Sequence, residues 1–162
     1  LSVLFSSCKK DDEETLQKSG GSVIVGEEEI SMTTYNAWWK EFPSYDHKMY
    51  SIRLNKDEDN WYPHLDLLFY TEMNGNEFES KTYTMQSFNS FADLTKELIF
   101  THATFQLQDG DPGNYPEMTS GTVTIVKNGD SYDLRWDLNG PIGRVTGEYS
   151  NIQFHERAYG EH

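Results

Sequence analysis

Tyr132, Leu134 and Trp136 alternate with Asp133, Arg135 and Asp137. A period of two puts the apolar side chains on one face of an extended strand and the charged ones on the other. One face of such a segment meets a core and the other meets water. The same period recurs at Tyr50, Ile52 and Leu54, which alternate with Ser51 and Arg53, and at Leu65, Leu67 and Phe69. Further strands are expected at 23–25, 30–39, 77–85, 98–107, 122–126 and 144–154. Asn-Gly occurs three times between such runs, at Asn74-Gly75, Asn128-Gly129 and Asn139-Gly140. That dipeptide favours the positive φ angles of a two-residue hairpin turn. The last two turns predict a three-stranded meander through the C-terminal third. Strand, Asn-Gly and strand also recur at 65–85 and 122–138, a shared local geometry and not a proven repeat.

One segment breaks the period. Ser90 is an N-cap residue, Asp93 follows three positions on, and Phe91, Leu94 and Leu98 have helical spacing, so a short helix is expected there. About eight to nine antiparallel strands with one short helix describe an all-β fold. An antiparallel β-sandwich is the first choice, and a lipocalin-like meander β-barrel is the alternative. Aromatic residues at 14% of the chain argue against disorder despite a hydrophobic content of only 36%. The 162 residues suffice for one domain with a sizeable core, assigned to 21–162.

The N-terminal residues read differently. Leu1 to Phe5 are mostly apolar, Ser6 and Ser7 are small, and Cys8 is the only cysteine. This resembles a bacterial lipobox, in which cleavage precedes a cysteine that carries diacylglycerol. Phe5 stands where Leu, Val or Ile is usual. The resemblance implies a signal-peptide remnant at 1–7 and a lipid anchor with a flexible tether at 8–20. Lys9-Lys10-Asp11-Asp12-Glu13-Glu14 follows the cysteine and resembles the surface-export signal of Bacteroidota lipoproteins. Gly121 to Ile125, Asn128 to Leu134 and Gly143 to Tyr149 are likewise similar to the closing strands of uncharacterised surface lipoproteins of that group. The resemblance implies an outer-membrane, cell-surface location with the membrane as a partner through Cys8. It carries no active site.

Charge narrows the partners. Thirteen Lys and Arg oppose 27 Asp and Glu, a formal net charge of −14. Only three lysines and four acids lie in residues 1–18, so the domain itself is acidic. Nucleic acid and anionic headgroups both need a basic face, so neither is expected as a ligand. A single Cys excludes an intramolecular disulfide framework and a Cys-rich zinc site. No glycine-rich phosphate loop, nucleophile elbow or paired-His metal motif occurs, and no catalytic residue is assigned. His47, His64, His102, His155 and His162 are scattered, and His64 and His102 fit ordinary partly buried strand positions.

Two groups remain as candidates. Asp57 and Asp59, and again Asp109 and Asp111, place carboxylates two apart in loops and could supply oxygens to Ca²⁺. A solvated turn has the same composition and is the preferred reading, so no cofactor is assigned. The adjacent pairs Trp38-Trp39 and Trp61-Tyr62 place aromatic rings on opposite faces of a strand or at its start. An exposed indole is a platform for the apolar face of a sugar ring, although core packing is the plainer role for either pair. The expected function is a noncatalytic surface domain that binds a glycan or an outer-membrane protein. A small carboxylate-dependent hydrolase and a barrel holding an apolar small molecule are the alternatives.

Overall fold

The computed structural model describes residues 19–108 and 116–158. Cys8 and its tether, and Asp109 and Asp111, lie outside the described residues. Eleven strands form among those described: β1 (Gly20–Val25), β2 (Glu28–Met32), β3 (Thr34–Phe42), β4 (His47–Asn55), β5 (His64–Glu72), β6 (Lys81–Thr84), β7 (Ile99–Gln106), β8 (Ser120–Asn128), β9 (Ser131–Gly140), β10 (Gly143–Ile152) and β11 (His155–Glu156). One sheet has the order β2-β1-β10-β9-β8-β6 and the other β11-β3-β4-β5-β7. All ladders are antiparallel except β11 on β3. The architecture is a β-sandwich with no closed barrel.

The interior explains the aromatic excess. Phe78 sits at the centre of a packed cluster, with ring centroids 4.8 Å from Phe69, 5.0 Å from Tyr50, 5.1 Å from Phe154 and 5.8 Å from Tyr132. Edge-to-face geometry dominates these pairs, as the aromatic quadrupole favours. Trp136 is 2% exposed and belongs to this core with Leu134 and Leu138, as the alternation requires. The interior is therefore filled by side chains where a barrel for an apolar ligand would have a cavity.

Three local expectations are corrected. First, 30–39 is not one strand. Thr33 donates to the carbonyls of Asn55 and Lys56 at 3.2 and 2.9 Å, and there the chain leaves one sheet for the other. The apolar phase slips with it: Ile30 and Met32 face inward before the switch, Tyr35 and Ala37 after it. Second, Asn74-Gly75 does not close a hairpin. Its turn starts a crossover, because β5 pairs with β4 and β7 whereas β6 pairs with β8 in the opposite sheet. That crossover carries Phe78 into the core, and the β6 ladder begins only at Lys81. Third, the helix reduces to a single 3₁₀ turn, Phe91–Asp93. Ser90 does cap it, accepting from the Ala92 amide at 3.1 Å. Propagation stops at Leu94, whose backbone is extended at φ −66° and ψ 146°, and the chain beyond it is tied to the end of β5: Thr71 Oγ1 donates to the Thr95 and Lys96 carbonyls, and the Glu72 amide donates to that of Thr95.

The C-terminal meander of β8, β9 and β10 forms as expected, with its turns shifted along the chain. Gly129 and Asp130 turn between Asn128 and Ser131, and Gly129 takes the positive φ of 62°. Pro141 and Ile142 turn between Gly140 and Gly143, so Asn139 remains in the strand.

Candidate groove on the outer face of the five-stranded sheet

Residues directly opposite on neighbouring strands share a face, so the register defines rows of side chains across a sheet. On the outer face of the β3-β4-β5-β7 sheet one row reads Trp38, Ser51, Leu68, His102. Two residues further along each strand the next row reads Asn36, Arg53, Asp66, Thr104, and the third Thr34, Asn55, His64, Gln106. A concavity of about 510 Å³ lies over these rows, lined by Trp38, Ser51, Arg53, Trp61, His64, Asp66, Leu68, His102, Thr104 and Glu117. The lining mixes two indoles and a leucine with hydroxyls, imidazoles and carboxylates, the composition of a binding groove.

The acidic loop between β4 and β5 delivers Trp61 to this groove. Asp57 Oδ1 accepts from the backbone amides of Asp59 and Asn60 at 3.0 and 2.7 Å, and both its oxygens accept from Asn60 Nδ2 at 2.8 and 3.0 Å. These hydrogen bonds hold its carboxyl below the usual carboxylate range. Asp57 is therefore the acceptor around which the turn folds. Among the described residues no group of three His, Cys, Asp or Glu is placed to hold a metal.

Each groove indole is braced by an arginine. Arg53 lies 5.2 Å from the Trp61 ring centroid and makes a two-point ion pair with Asp66, Nε to Oδ1 at 2.6 Å and Nη2 to Oδ2 at 3.3 Å. Arg53 and Asp66 are register partners on β4 and β5, so the ladder itself sets their approach. Arg157 lies 5.0 Å from the Trp38 ring centroid, on the β11 side of that indole and not in the lining of the groove. The parallel pairing of His155 with Trp38 brings this C-terminal arginine into place. Such bracing restricts the rings before a ligand arrives and lowers the ordering cost of binding. Trp61 remains 46% exposed.

The buried end of the groove is His64. Its ring is 5.7 Å from that of Trp61 and its Nε2 is 3.6 Å from Asp66 Oδ2. Burial pushes its pKa down, Asp66 opposes the shift and Arg53 adds to it, so the imidazole is neutral at pH 7.

The structure thus joins two of the four aromatic candidates and separates the others. Trp38 and Trp61 share the groove. Trp39 points the opposite way, opposite Tyr50 in register, at the mouth between the sheets with Lys48 Nζ 4.4 Å from its ring centroid. Tyr62 is half-buried with its ring 5.4 Å from that of His64 and does not line the groove. Arg53, Asp66, His64, His102, Thr104 and Glu117 were not singled out from the sequence as ligand groups. Apart from Glu117, which bridges to Thr104 from outside the named strands, their common signal is the outward phase of three strands, which becomes a site only once the register is known.

A concavity of about 540 Å³ occupies the outer face of the other sheet. It is a threonine surface crossed by the ion pairs Arg144–Asp137 and Arg135–Glu148 at 2.8 and 3.4 Å. The aromatic in its lining, Trp136, belongs to the core, so this face offers no ring platform. Searches of family models, curated proteins and solved structures find no match to the chain. Among the described residues no helix is long and apolar enough to cross a membrane.

Proposed function

We propose that this chain is a noncatalytic saccharide-binding domain, displayed outside the cell from a lipid on Cys8. The observation that carries the binding assignment is the pairing of Trp38 and Trp61 across a hydrogen-bonding floor of Ser51, Asp66 and Thr104. A pyranose ring has an apolar face for an indole and hydroxyls around its edge for such a floor. The lipoprotein-like sequence around Cys8 supports the anchoring, and the charged tether would hold the groove clear of the headgroups. Electrophoresis in native gels containing a soluble polysaccharide tests the binding. Retardation of the wild type that disappears in Trp38→Ala, with the native far-UV spectrum kept, supports the proposal. Equal mobility of wild type and variant in every polysaccharide tried refutes it.

A protein partner is the second reading. It rests on the other end of the same face, where His47 is stacked between Phe42 and Phe91 at 4.7 and 4.1 Å and Tyr45 is 67% exposed. An exposed aromatic cluster of this kind suits a protein contact.

A further inference from the structure

The charges around the groove narrow the ligand class further. We infer that the groove selects uncharged saccharide chains and turns polyanionic ones away, an inference that rests on the saccharide reading above. A carboxylated or sulfated sugar needs a cation that is free to meet it. Arg53, the arginine in the lining, already gives two N–H groups to Asp66 and lies under Trp61. Arg157 lies against the Trp38 ring from the β11 edge and does not line the groove. His64, held below the usual imidazole range by burial, adds no positive charge at pH 7.

The acids of the lining have the opposite effect. Asp66 and Glu117 present carboxylate oxygens that accept hydrogen bonds from sugar hydroxyls, and Glu117, whose charge is not matched by Arg53 as that of Asp66 is, repels sugar anions. The net charge of −14 adds a longer-range repulsion that decays over a Debye length of about 8 Å at physiological salt. The floor also favours a chain over a single sugar. The row from Trp38 through Ser51 and Leu68 to His102 crosses three strand spacings, about 14 Å at roughly 4.8 Å each. Leu68 gives that row an apolar centre on which a ring face can lie, between the indole at one end and the polar groups of β7 at the other.

Binding of the 19–162 domain, joined to its natural tether, to two immobilised sets decides the matter. The uncharged set is barley β-glucan, glycogen, yeast mannan and arabinoxylan, and the anionic set is polygalacturonate, hyaluronan, chondroitin sulfate and heparin. The expected result is saturable binding to at least one uncharged polysaccharide and at least tenfold weaker binding to every anionic one, with the gap widening from 150 to 20 mM salt. Anionic binding as tight as uncharged binding would overturn the charge selection and leave the saccharide reading standing. Failure of both sets would overturn the saccharide reading itself. Glu117→Gln supplies the internal control, because Glu117 is exposed and its loss of charge leaves the core untouched. The variant is expected to narrow the uncharged-to-anionic gap severalfold, and an unchanged gap would count against selection by the groove carboxylates.

Discussion

Gly147→Ala puts the described packing at risk in a measurable way. Gly147 lies on the inward phase of β10, opposite Trp136 on β9 and Val23 on β1. A Cβ there would fall 2.3 Å from the Ser22 carbonyl oxygen and 2.4 and 2.7 Å from two atoms of the Trp136 indole. Neither neighbour is the free end of a flexible side chain. The carbonyl is part of the β1 backbone, and the indole is 2% exposed in the packed core. Relief requires β10 to move away from β1 or the indole to leave its place, so the cost belongs at the upper end of overpacking, about 3 kcal/mol. For a domain of this size that is a fall in Tm of roughly 6–12 °C. Gly26→Ala is the matched control, since Gly26 has φ of 64° but nothing within 4 Å of where the alanine methyl would sit. Left-handed backbone alone costs about 1 kcal/mol. Thermal melts of both variants followed by far-UV circular dichroism should separate them, with Gly147→Ala several degrees below Gly26→Ala. Equal melts would show that the indole does not lie over Gly147 and that the β1-β10-β9 register is wrong.

Acid should weaken the fold through two histidines. Burial lowers the pKa of both His47 and His64 below the ordinary value of about 6.5. The unfolded chain then takes up these protons first, so stability is full above about pH 6.5 and declines as pH falls below it. Chemical denaturation at pH 7.5 and 5.5 should show the decline, and His47→Phe, which keeps a ring between Phe42 and Phe91, should show less of it. Asp66→Asn should cost only about 0.5–1 kcal/mol of stability, because Arg53 is 41% exposed, yet it should weaken saccharide binding by loosening Arg53 beneath Trp61. Isothermal titration beside a thermal melt distinguishes the two effects, and an unchanged affinity would remove Asp66 from the site. Cys8→Ser should move the full-length protein from the membrane fraction to the soluble fraction of its host, and retention on the membrane would dismiss the lipid anchor.

The alternation in Tyr50–Leu54, Leu65–Phe69 and Tyr132–Trp136 made the sandwich legible, because period two fixes which side chains face the core. It could not show where the chain changes sheets. Thr33 and the Asn74-Gly75 turn look like strand interior and hairpin until the pairing partners are known, and those are long-range choices made by packing. The 90–98 segment shows the same override: a sound N-cap is outweighed by hydrogen bonds from Thr71 and Glu72. The groove was half legible. Trp38 and Trp61 stand out by residue type, whereas Arg53 and Asp66 become partners only through the β4-β5 register. Nothing local marks Arg157 as a brace, since its contact with Trp38 depends on the return of the chain as β11.

The central claim is that the ligand lies between Trp38 and Trp61, and affinity across three tryptophan variants tests it most directly. With the polysaccharide that retards the wild type, Trp38→Ala and Trp61→Ala should each lose at least about tenfold in Kd, near 1.4 kcal/mol, from the loss of an indole platform. Trp39→Phe, next in sequence but on the opposite face, should bind as the wild type does. Loss of affinity in Trp39→Phe with none in the other two would place the ligand at the mouth between the sheets and contradict the account.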